Sequence, residues 1–397
     1  MSIKSGLSFN GPPGRSLSQN GHSILQPISG CSTKLSTANP RSSLCYATIA
    51  PTSATLFQTV SRTHAASLQN TVFRNTSRGA KRSSIEFLHL MTTTAISHAL
   101  ERLRDRESPN KWPVEVIYTS QPEWPLLSIA EHPQCLRLSV LDSSFNPPTL
   151  AHAALARLGP PNKDRSSGSV LSPSDSYDAH LLLLSVTNAE KVLKPGDAGP
   201  EQRLEMMQLF AKELQSSGVD HSAGNLAVAV IDEPTFVGKS RQLREFLLHK
   251  IINTIKCSTV GGEHGNGAII VPSLQLHFIL GFDTVIRLFS TRFYTSQDDM
   301  LSSLKTFFHP MGDNCVVVCA RRSLEDGASK EDRDTEEREF TESTEVRGYI
   351  ESGRVVLVDI PEDLQAISST KARRGEWDLV PPSIRDYIEK EGLYISV

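Results

Sequence analysis

The first 85 residues of this 397-residue chain contain no aspartate and no glutamate, although they carry nine lysines and arginines. The segment is rich in Ser, Thr, Asn, Gly and Pro and shows neither helical nor strand periodicity. Such a composition buries too little apolar surface to offset the entropy of the chain, so we expect residues 1–85 to be disordered. Three interpretations stay open: an organellar transit peptide, a basic tail, and an over-long gene prediction with Met91 as the true start.

Long apolar runs and paired cysteines are lacking as well. No apolar run approaches the ~18 residues that a membrane-spanning helix needs, which argues against a membrane protein. None of the six cysteines forms a CxxC pair, so neither a metal site nor a redox function is favoured, and we expect an intracellular protein without structural disulfides. The expected location is the cytoplasm, the nucleus or both, or the mitochondrion if residues 1–85 are a transit peptide.

The acidic residues all lie beyond residue 85, where 44 aspartates and glutamates face only 32 of the chain's 41 lysines and arginines. This part of the chain therefore has no general electrostatic attraction for nucleic acid. Any polyanion that it binds must be held by a local site.

Short apolar runs alternate with amphipathic stretches from residue 136 onward. The runs have strand length, whereas Glu201–Leu214 and Ser240–Ile255 show helical periodicity. The predicted strands are Leu136–Leu141, Leu181–Val186, Leu226–Ile231, Leu274–Leu280, Cys315–Ala320 and Val355–Asp359. This alternation predicts an α/β fold with a doubly wound, Rossmann-like parallel sheet that is covered by helices on both faces.

The predicted domain covers residues 136–397 and includes two loop insertions. Residues 160–178 are rich in Ser and Asp, and residues 321–345 are densely charged without an apolar stripe, as is typical of solvated loops. We expect residues 86–135 to form an extension that packs on the core, because Ile85–Arg104 has a helical pattern and Val114–Tyr118 a strand pattern.

A first polar motif runs from Asp142 to His152 and follows the first predicted strand directly. Open α/β sheets bind ligands at the carboxyl ends of their strands. We expect Thr149 to cap the next helix, with His152 three residues later on the same helix face. Free backbone N–H groups and an imidazole at a helix start together favour a phosphate ligand. The alternative is a structural junction with a capping threonine.

A second motif, Ile367 to Arg373, follows the last predicted strand. Its two serines and Thr370 offer hydroxyl groups at a predicted helix start. Arg373 lies three residues after Thr370 on the same face, where a guanidinium can grip two phosphate oxygens. The alternative is an ordinary helix cap followed by a solvated basic patch.

Together the two motifs resemble the nucleotidylyltransferase superfamily, in particular the eukaryotic-type nicotinamide/nicotinate mononucleotide adenylyltransferases. The family pattern I-S-S-T-x-x-R is matched in full from Ile367 to Arg373, and Gly281-Phe282-Asp283 is similar to the family's G-x-D. The pattern G-S-F-N-P-x-T-x-x-H is matched at Ser144, Phe145, Asn146, Pro147, Thr149 and His152. The chain departs from the family at the opening glycine, which is Ser143 here, and at the tryptophans that stack on the pyridine ring.

The resemblance implies an enzyme that transfers AMP from ATP to nicotinamide or nicotinate mononucleotide. We expect Mg²⁺ to bind together with the ATP, and the sequence shows no carboxylate cluster that would form a dedicated metal site. The implied catalytic residues are His152 and Arg373. The implied ATP-binding residues are Ser144, Phe145, Thr149, His152, Lys191, Lys194, Gly281, Asp283, Ser369, Thr370 and Arg373. The implied acceptor-binding residues are Phe236, Asp283, Phe293 and Tyr294.

Other functions stay open on the sequence alone. Ser143 and the absent tryptophans leave room for a transferase with a different phosphate acceptor, for an ATP-binding or ATP-hydrolysing protein, and for a scaffold that has kept the fold. The expected partners are ATP and a pyridine mononucleotide, with neither nucleic acid nor membrane. The choice between nicotinamide and nicotinate, and the question of a homo-oligomer, are left open.

Overall fold

The computed structural model describes residues 93–105, 112–128, 133–161, 176–187, 196–216, 224–259, 270–321 and 330–394, all within the compact unit Asn75–Val397. The predictions for residues 1–85 and for most of the insertion at residues 160–178 lie outside these ranges, as do Lys191 and Lys194. Within them, no helix is both long and apolar enough to cross a membrane.

Seven strands form a single sheet. They are β1 (Val114–Thr119), β2 (Cys135–Asp142), β3 (Ala179–Ser185), β4 (Leu226–Ile231), β5 (Ser273–Gly281), β6 (Cys315–Arg321) and β7 (Val355–Asp359). Their order is β1-β4-β3-β2-β5-β6-β7, and every neighbouring pair is parallel except β1 with β4. The six strands predicted from the apolar runs are confirmed, and so is the doubly wound α/β fold.

Helices cover both faces of the sheet. In the described ranges they are α1 (residues 93–104), α2 (Leu150–Ala156), α3 (Pro200–Ser216), α4 (Phe236–Thr259), α5 (Phe282–Leu288), α6 (Gln297–Phe308), α7 (Lys330–Glu342), α8 (Thr344–Glu351), α9 (Glu362–Gln365), α10 (Ser369–Arg373) and α11 (Pro382–Glu391). Helices α1, α2, α3 and α11 pack on one face, and α4, α5 and α6 on the other. Each buried large apolar side chain contributes about 1.5–3 kcal/mol.

Helix α1 and strand β1 extend the core on the N-terminal side. The buried side chains of α1, which include Ile96, Leu100 and Leu103, recur every three or four residues and form one apolar stripe. Strand β1 pairs antiparallel with the edge of the sheet at β4, where Val114 lies opposite Ile231. Both elements therefore bury apolar surface that the parallel sheet would otherwise leave open.

The prediction of a loop over residues 321–345 is wrong where α7 and α8 form. Helix α7 is mostly exposed and lacks an apolar stripe, so its sequence looks like a solvated loop. It is attached by the ring of Phe340, 5.5 Å from that of Phe282 and 5.7 Å from that of Phe289. It is also held by Glu337, which accepts a hydrogen bond from Arg321 Nε at 2.8 Å. One aromatic ring and one ion pair are too sparse to produce a periodic pattern.

The carboxyl ends of β2 and β5 lie side by side where the strand order reverses. The chain passes outward from β2 to β3 and β4, and then returns to β5 on the other side of β2. The connections that leave β2 and β5 therefore diverge and leave a crevice, which is where α/β sheets bind ligands. The first motif follows β2. Gly281-Phe282-Asp283 lies at the carboxyl end of β5, on the same edge of the sheet.

A row of polar side chains crosses the middle of the sheet. His180 and His277 flank Ser139 on the two neighbouring strands, and all three are buried. Ser139 Oγ lies 2.8 Å from His180 Nδ1, and Tyr177 Oη lies 3.2 Å from His277 Nδ1. His277 Nε2 also lies 2.9 Å from Gln275 Oε1. These hydrogen bonds satisfy Ser139 Oγ, His180 Nδ1 and both ring nitrogens of His277, which would be costly to bury alone.

We expect acid to destabilise the fold through His277. Burial, helped by the positive charges of Arg137 and Arg354, lowers the pKa of this imidazole from 6.5 to about 3. The unfolded chain takes up the proton near pH 6.5 and the folded chain only near pH 3. The free energy of unfolding should therefore fall as the pH drops through that window, with a limiting slope of about 1.4 kcal/mol per pH unit.

Chemical denaturation at several pH values between about pH 3.5 and about pH 7 measures this pH dependence of the free energy of unfolding. The pH dependence should flatten in His277→Gln, which keeps a polar side chain. The matched control is His98→Gln, which changes an exposed histidine on α1. An unaltered slope in His277→Gln would rule out this residue as the source.

Candidate functional site

The first motif forms the turn that connects β2 to α2. The backbone N–H of Ser143 donates to Leu183 O at 3.3 Å and ties the start of the turn to β3. Phe145 has a φ of 43°, in the left-handed region that costs a residue with a Cβ atom about 1–2 kcal/mol. Its fully buried ring lies 6.4 Å from that of Phe210 and 5.2 Å from that of His152. Burial of the ring offsets the backbone strain, so the turn keeps this conformation.

His152 is held at both ring nitrogens. Thr149 is the N-cap of α2, as predicted, and its backbone N–H donates to His152 Nδ1 at 3.0 Å. The hydroxyl oxygen of Thr149 lies 2.8 Å from the same nitrogen, and Ser143 Oγ lies 2.9 Å from Nε2. Because Nδ1 accepts a hydrogen bond, the proton of the neutral imidazole is on Nε2. The buried ring therefore directs an N–H group toward Ser143.

The second motif packs directly against the first. Ser368 caps α10 by accepting a hydrogen bond from the Lys371 N–H at 3.2 Å. Ser369 Oγ then donates to Pro147 O at 2.8 Å, and Arg373 Nη1 donates to Asn146 O at 2.6 Å. These two bonds join parts of the chain that are 222 and 227 residues apart in sequence. The structure therefore brings the two predicted motifs together.

All three nitrogens of the Arg373 guanidinium have protein contacts. Besides the bond to Asn146, Nη2 lies 3.4 Å from Thr370 Oγ1, and Nε lies 3.4 Å from the carboxylate of Asp197. A guanidinium has five N–H groups. The contacts made within the described ranges thus use one N–H on each terminal nitrogen, and the second N–H on each can donate to a ligand oxygen.

Arg203 and Tyr394 adjoin the same turn. The Tyr394 hydroxyl donates to Asn146 Oδ1 at 2.6 Å, and burial raises the pKa of this tyrosine, so it remains a neutral donor. Burial lowers the pKa of Arg203, although the charge of Asp197 opposes that effect and the charge of Arg373 adds to it. Two partly buried guanidinium groups near a single carboxylate make this region favourable for an additional anion.

A buried ion pair lies at the start of the turn. Lys239 Nζ, in the first turn of α4, is 2.6 Å from Asp142 Oδ2, and each side chain is 6% exposed. The same ammonium group lies 4.8 Å from the centroid of the Phe236 ring. Phe236 and Phe278 form a T-shaped pair, with 6.2 Å between the ring centroids. Phe236, a predicted acceptor-binding residue, therefore has Lys239 over its ring.

The remaining predicted residues follow β5. Gly281 is the N-cap of α5, and Asp283 is exposed in the first turn of that helix, on the same sheet edge as the first motif. Phe293 ends a 3-10 helix (Thr291–Phe293), and the side chain of Arg292 lies 4.7 Å from its ring centroid. The Tyr294 hydroxyl donates to Leu288 O at 2.7 Å, which ties this segment to the end of α5.

The carboxylates next to the first motif are matched by cations. Asp142 faces Lys239, and Asp197 faces Arg373. Across the described ranges, no group of three His, Cys, Asp or Glu side chains is arranged to hold a metal ion. The two carboxylates therefore pair with cationic side chains of the protein.

A protein of Schizosaccharomyces pombe named "Putative nicotinamide mononucleotide adenylyltransferase" is 29% identical over 195 residues, or 49% of this chain. This chain resembles the nicotinamide mononucleotide adenylyltransferases. The matched region spans 56% of the S. pombe protein, little more than half of its length. The resemblance that the two motifs predict is thereby confirmed.

Among solved structures, this chain is similar to a Plasmodium falciparum nicotinic acid mononucleotide adenylyltransferase complexed with APC. The match covers 65% of this chain and 96% of the Plasmodium chain. It is 14% identical, with a TM-score of 0.32. No protein-family model matches the chain.

Several residues around the turn were not predicted from the sequence. Lys239 could have been predicted to be buried, because it lies four residues before Leu243 and eight before Leu247 on the buried face of α4. A lysine on such a stripe is rarely buried unless a partner neutralises it. Asp197 and Arg203 had no such signal, since only the folded chain brings them to Arg373.

The Asp142–Lys239 pair predicts a specific pattern of stabilities. Asp142→Asn or Lys239→Met alone leaves one charge buried without its partner and should lower the free energy of unfolding by about 3–5 kcal/mol. The double variant Asp142→Asn/Lys239→Met should lose clearly less than the sum of the two, because it removes both charges. Urea denaturation of the four proteins measures the coupling, and strictly additive losses would contradict the pair.

Proposed function

We propose that this chain is an adenylyltransferase that transfers AMP from MgATP to nicotinamide or nicotinate mononucleotide, forming NAD or its acid analogue. The observation that carries the proposal is the junction of the two motifs, in which Arg373 and Ser369 bind the turn that precedes His152. An imidazole N–H, a guanidinium and several hydroxyl groups then converge, which suits a polyphosphate. The name of the S. pombe relative supports the pyridine mononucleotide as acceptor.

The proposed reaction is an in-line displacement. An oxygen of the acceptor 5′-phosphate attacks the α-phosphorus of ATP, and the bond from that phosphorus to the oxygen bridging to the β-phosphate breaks. Pyrophosphate leaves with the electron pair. The attacking phosphate is already ionised, so neither a protein nucleophile nor a general base is required. Catalysis then rests on positioning and on electrostatic stabilisation of the charge that builds on the leaving group.

The residues of the site have separate roles in this proposal. His152 and Arg373 stabilise the β- and γ-phosphate oxygens, with Lys191 and Lys194 as further basic groups. Ser369 contributes through its backbone, since its hydroxyl already donates to Pro147 O. Mg²⁺ arrives with ATP, because octahedral magnesium keeps most of its waters and needs few protein ligands.

The other residues named above complete the two substrate subsites. The backbone at Ser144 and Phe145 would approach the adenylate, with Thr149 and Thr370 beside the phosphates. Gly281 and Asp283 would contact the nucleotide from the end of β5. Aromatic contacts to the acceptor ring would come from Phe236, Phe293 and Tyr294.

A second candidate function is ATP hydrolysis or transfer to another phosphate acceptor. The observation that favours it is the position of Lys239 over the Phe236 ring, which occupies a predicted stacking surface. Both candidates use the same phosphate site and differ in the acceptor. Free phosphate or ADP formed without an acceptor indicates hydrolysis, whereas pyrophosphate formed only with a mononucleotide indicates transfer.

His152 should be required for the reaction. The full chain, supplied with ATP, Mg²⁺ and either mononucleotide, should release pyrophosphate and form the dinucleotide. His152→Ala removes a preorganised donor and should lower kcat by about 10²–10³-fold. The matched control His98→Ala changes an exposed histidine on α1 and should keep full activity. Absence of dinucleotide with both mononucleotides would contradict the proposed function.

Arg373 should act through its planar fork rather than its charge alone. Arg373→Lys keeps the charge but replaces the planar fork with a single nitrogen, which cannot present two parallel N–H groups to a phosphate, so the KM for ATP should rise about tenfold or more. Arg374→Lys makes the same change at the next residue, which is exposed, and should leave the KM unaltered. Equal kinetics for both variants would remove Arg373 from the phosphate site.

A further inference from the structure

The hydrogen bonds around His152 have a defined direction. The Thr149 N–H donates to Nδ1, so the imidazole proton is on Nε2 and is donated to Ser143 Oγ, 2.9 Å away. Ser143 Oγ therefore acts as an acceptor in this contact. The O–H group of Ser143 can therefore donate to another acceptor. The described residues form no further hydrogen bond with this hydroxyl group.

Ser143 is also more exposed than the histidine that it contacts. It is the first residue after β2, at the strand end beside β5, and its side chain is half-buried while that of His152 is only 4% exposed. The Nε2–H group therefore reaches solvent-accessible space by way of a hydroxyl group. An anion that enters the crevice meets the serine before the histidine.

We propose that Ser143 is a phosphate-binding residue that relays the His152 interaction to the ligand. Nε2–H donates to Ser143 Oγ, and the Ser143 O–H donates to a phosphate oxygen of ATP. Each hydrogen bond in such a chain polarises the next, so the hydroxyl group becomes a stronger donor than an isolated serine. The identity of the ligand as ATP rests on the proposed function, whereas the relay rests on the direction of the hydrogen bonds.

The relay predicts an unusual order of variants. Ser143→Ala removes the donor while its methyl group still separates Nε2 from the ligand, so affinity for MgATP should fall about 10- to 100-fold. Ser143→Gly opens the space and lets a phosphate oxygen reach Nε2 directly, so its loss should be clearly smaller. A purely structural role would give the opposite order, because glycine usually destabilises a chain more than alanine does.

A double-mutant cycle tests the route of the interaction. Calorimetric titration with MgATP and thermal unfolding of the full chain would cover Ser143→Ala and Ser143→Gly, each with and without His152→Ala. In the Ala background, His152→Ala should change the affinity little, because the relay is already broken. In the Ser143→Gly background, His152→Ala should cause the full loss of affinity for MgATP. Equal affinities of Ser143→Ala and the parent, or additive losses in the Ala background, would overturn the relay.

The same proteins separate this inference from the proposed function. If the parent binds MgATP with the predicted order of variants but forms no dinucleotide, the relay stands and the proposed function fails. If the parent forms dinucleotide and Ser143→Ala is as active, the relay fails and the proposed function stands. If the parent does not bind MgATP, both fail.

Discussion

The hydrogen bond from the Thr149 N–H to His152 Nδ1 is the interaction on which the site depends. It begins α2, because the histidine side chain satisfies a backbone donor at the helix start. It also fixes the imidazole ring and places the remaining proton on Nε2, toward Ser143. One side chain thus serves both as part of a helix cap and as an oriented donor at the carboxyl end of β2. Orientation of this kind is what electrostatic stabilisation of a transferring phosphate requires.

A second constraint comes from the C-terminal end of the chain. Ser369, Arg373 and Tyr394 all donate to groups of the Asn146–Pro147 segment, which adjoins the left-handed residue Phe145. A strained turn persists only when its surroundings hold it in place. These surroundings are supplied by residues more than 200 positions away, so the site is complete only when the last helices have packed. The conformation of this turn therefore depends on the packing of the C-terminal helices.

The sequence predicts the fold well because the parallel strands are buried on both faces and show as apolar runs. It also predicts the cap at Thr149, because this threonine follows a polar turn and precedes a helical stretch. It does not predict the Asp142–Lys239 pair or the contact of Arg373 with Asp197, because each joins residues that no periodicity connects. The helix at residues 330–342 escapes prediction since Phe340 is its main apolar attachment.

The fate of the α-phosphorus tests the central claim most directly. ATP labelled at the α-phosphate would be incubated with the full chain, Mg²⁺ and nicotinamide or nicotinate mononucleotide, beside a sample labelled at the γ-phosphate. Direct transfer predicts that the α-label appears in the dinucleotide and the γ-label in pyrophosphate. An α-label that remains in ADP or AMP, with the γ-label released as free phosphate, would contradict adenylyl transfer and indicate hydrolysis at the same site.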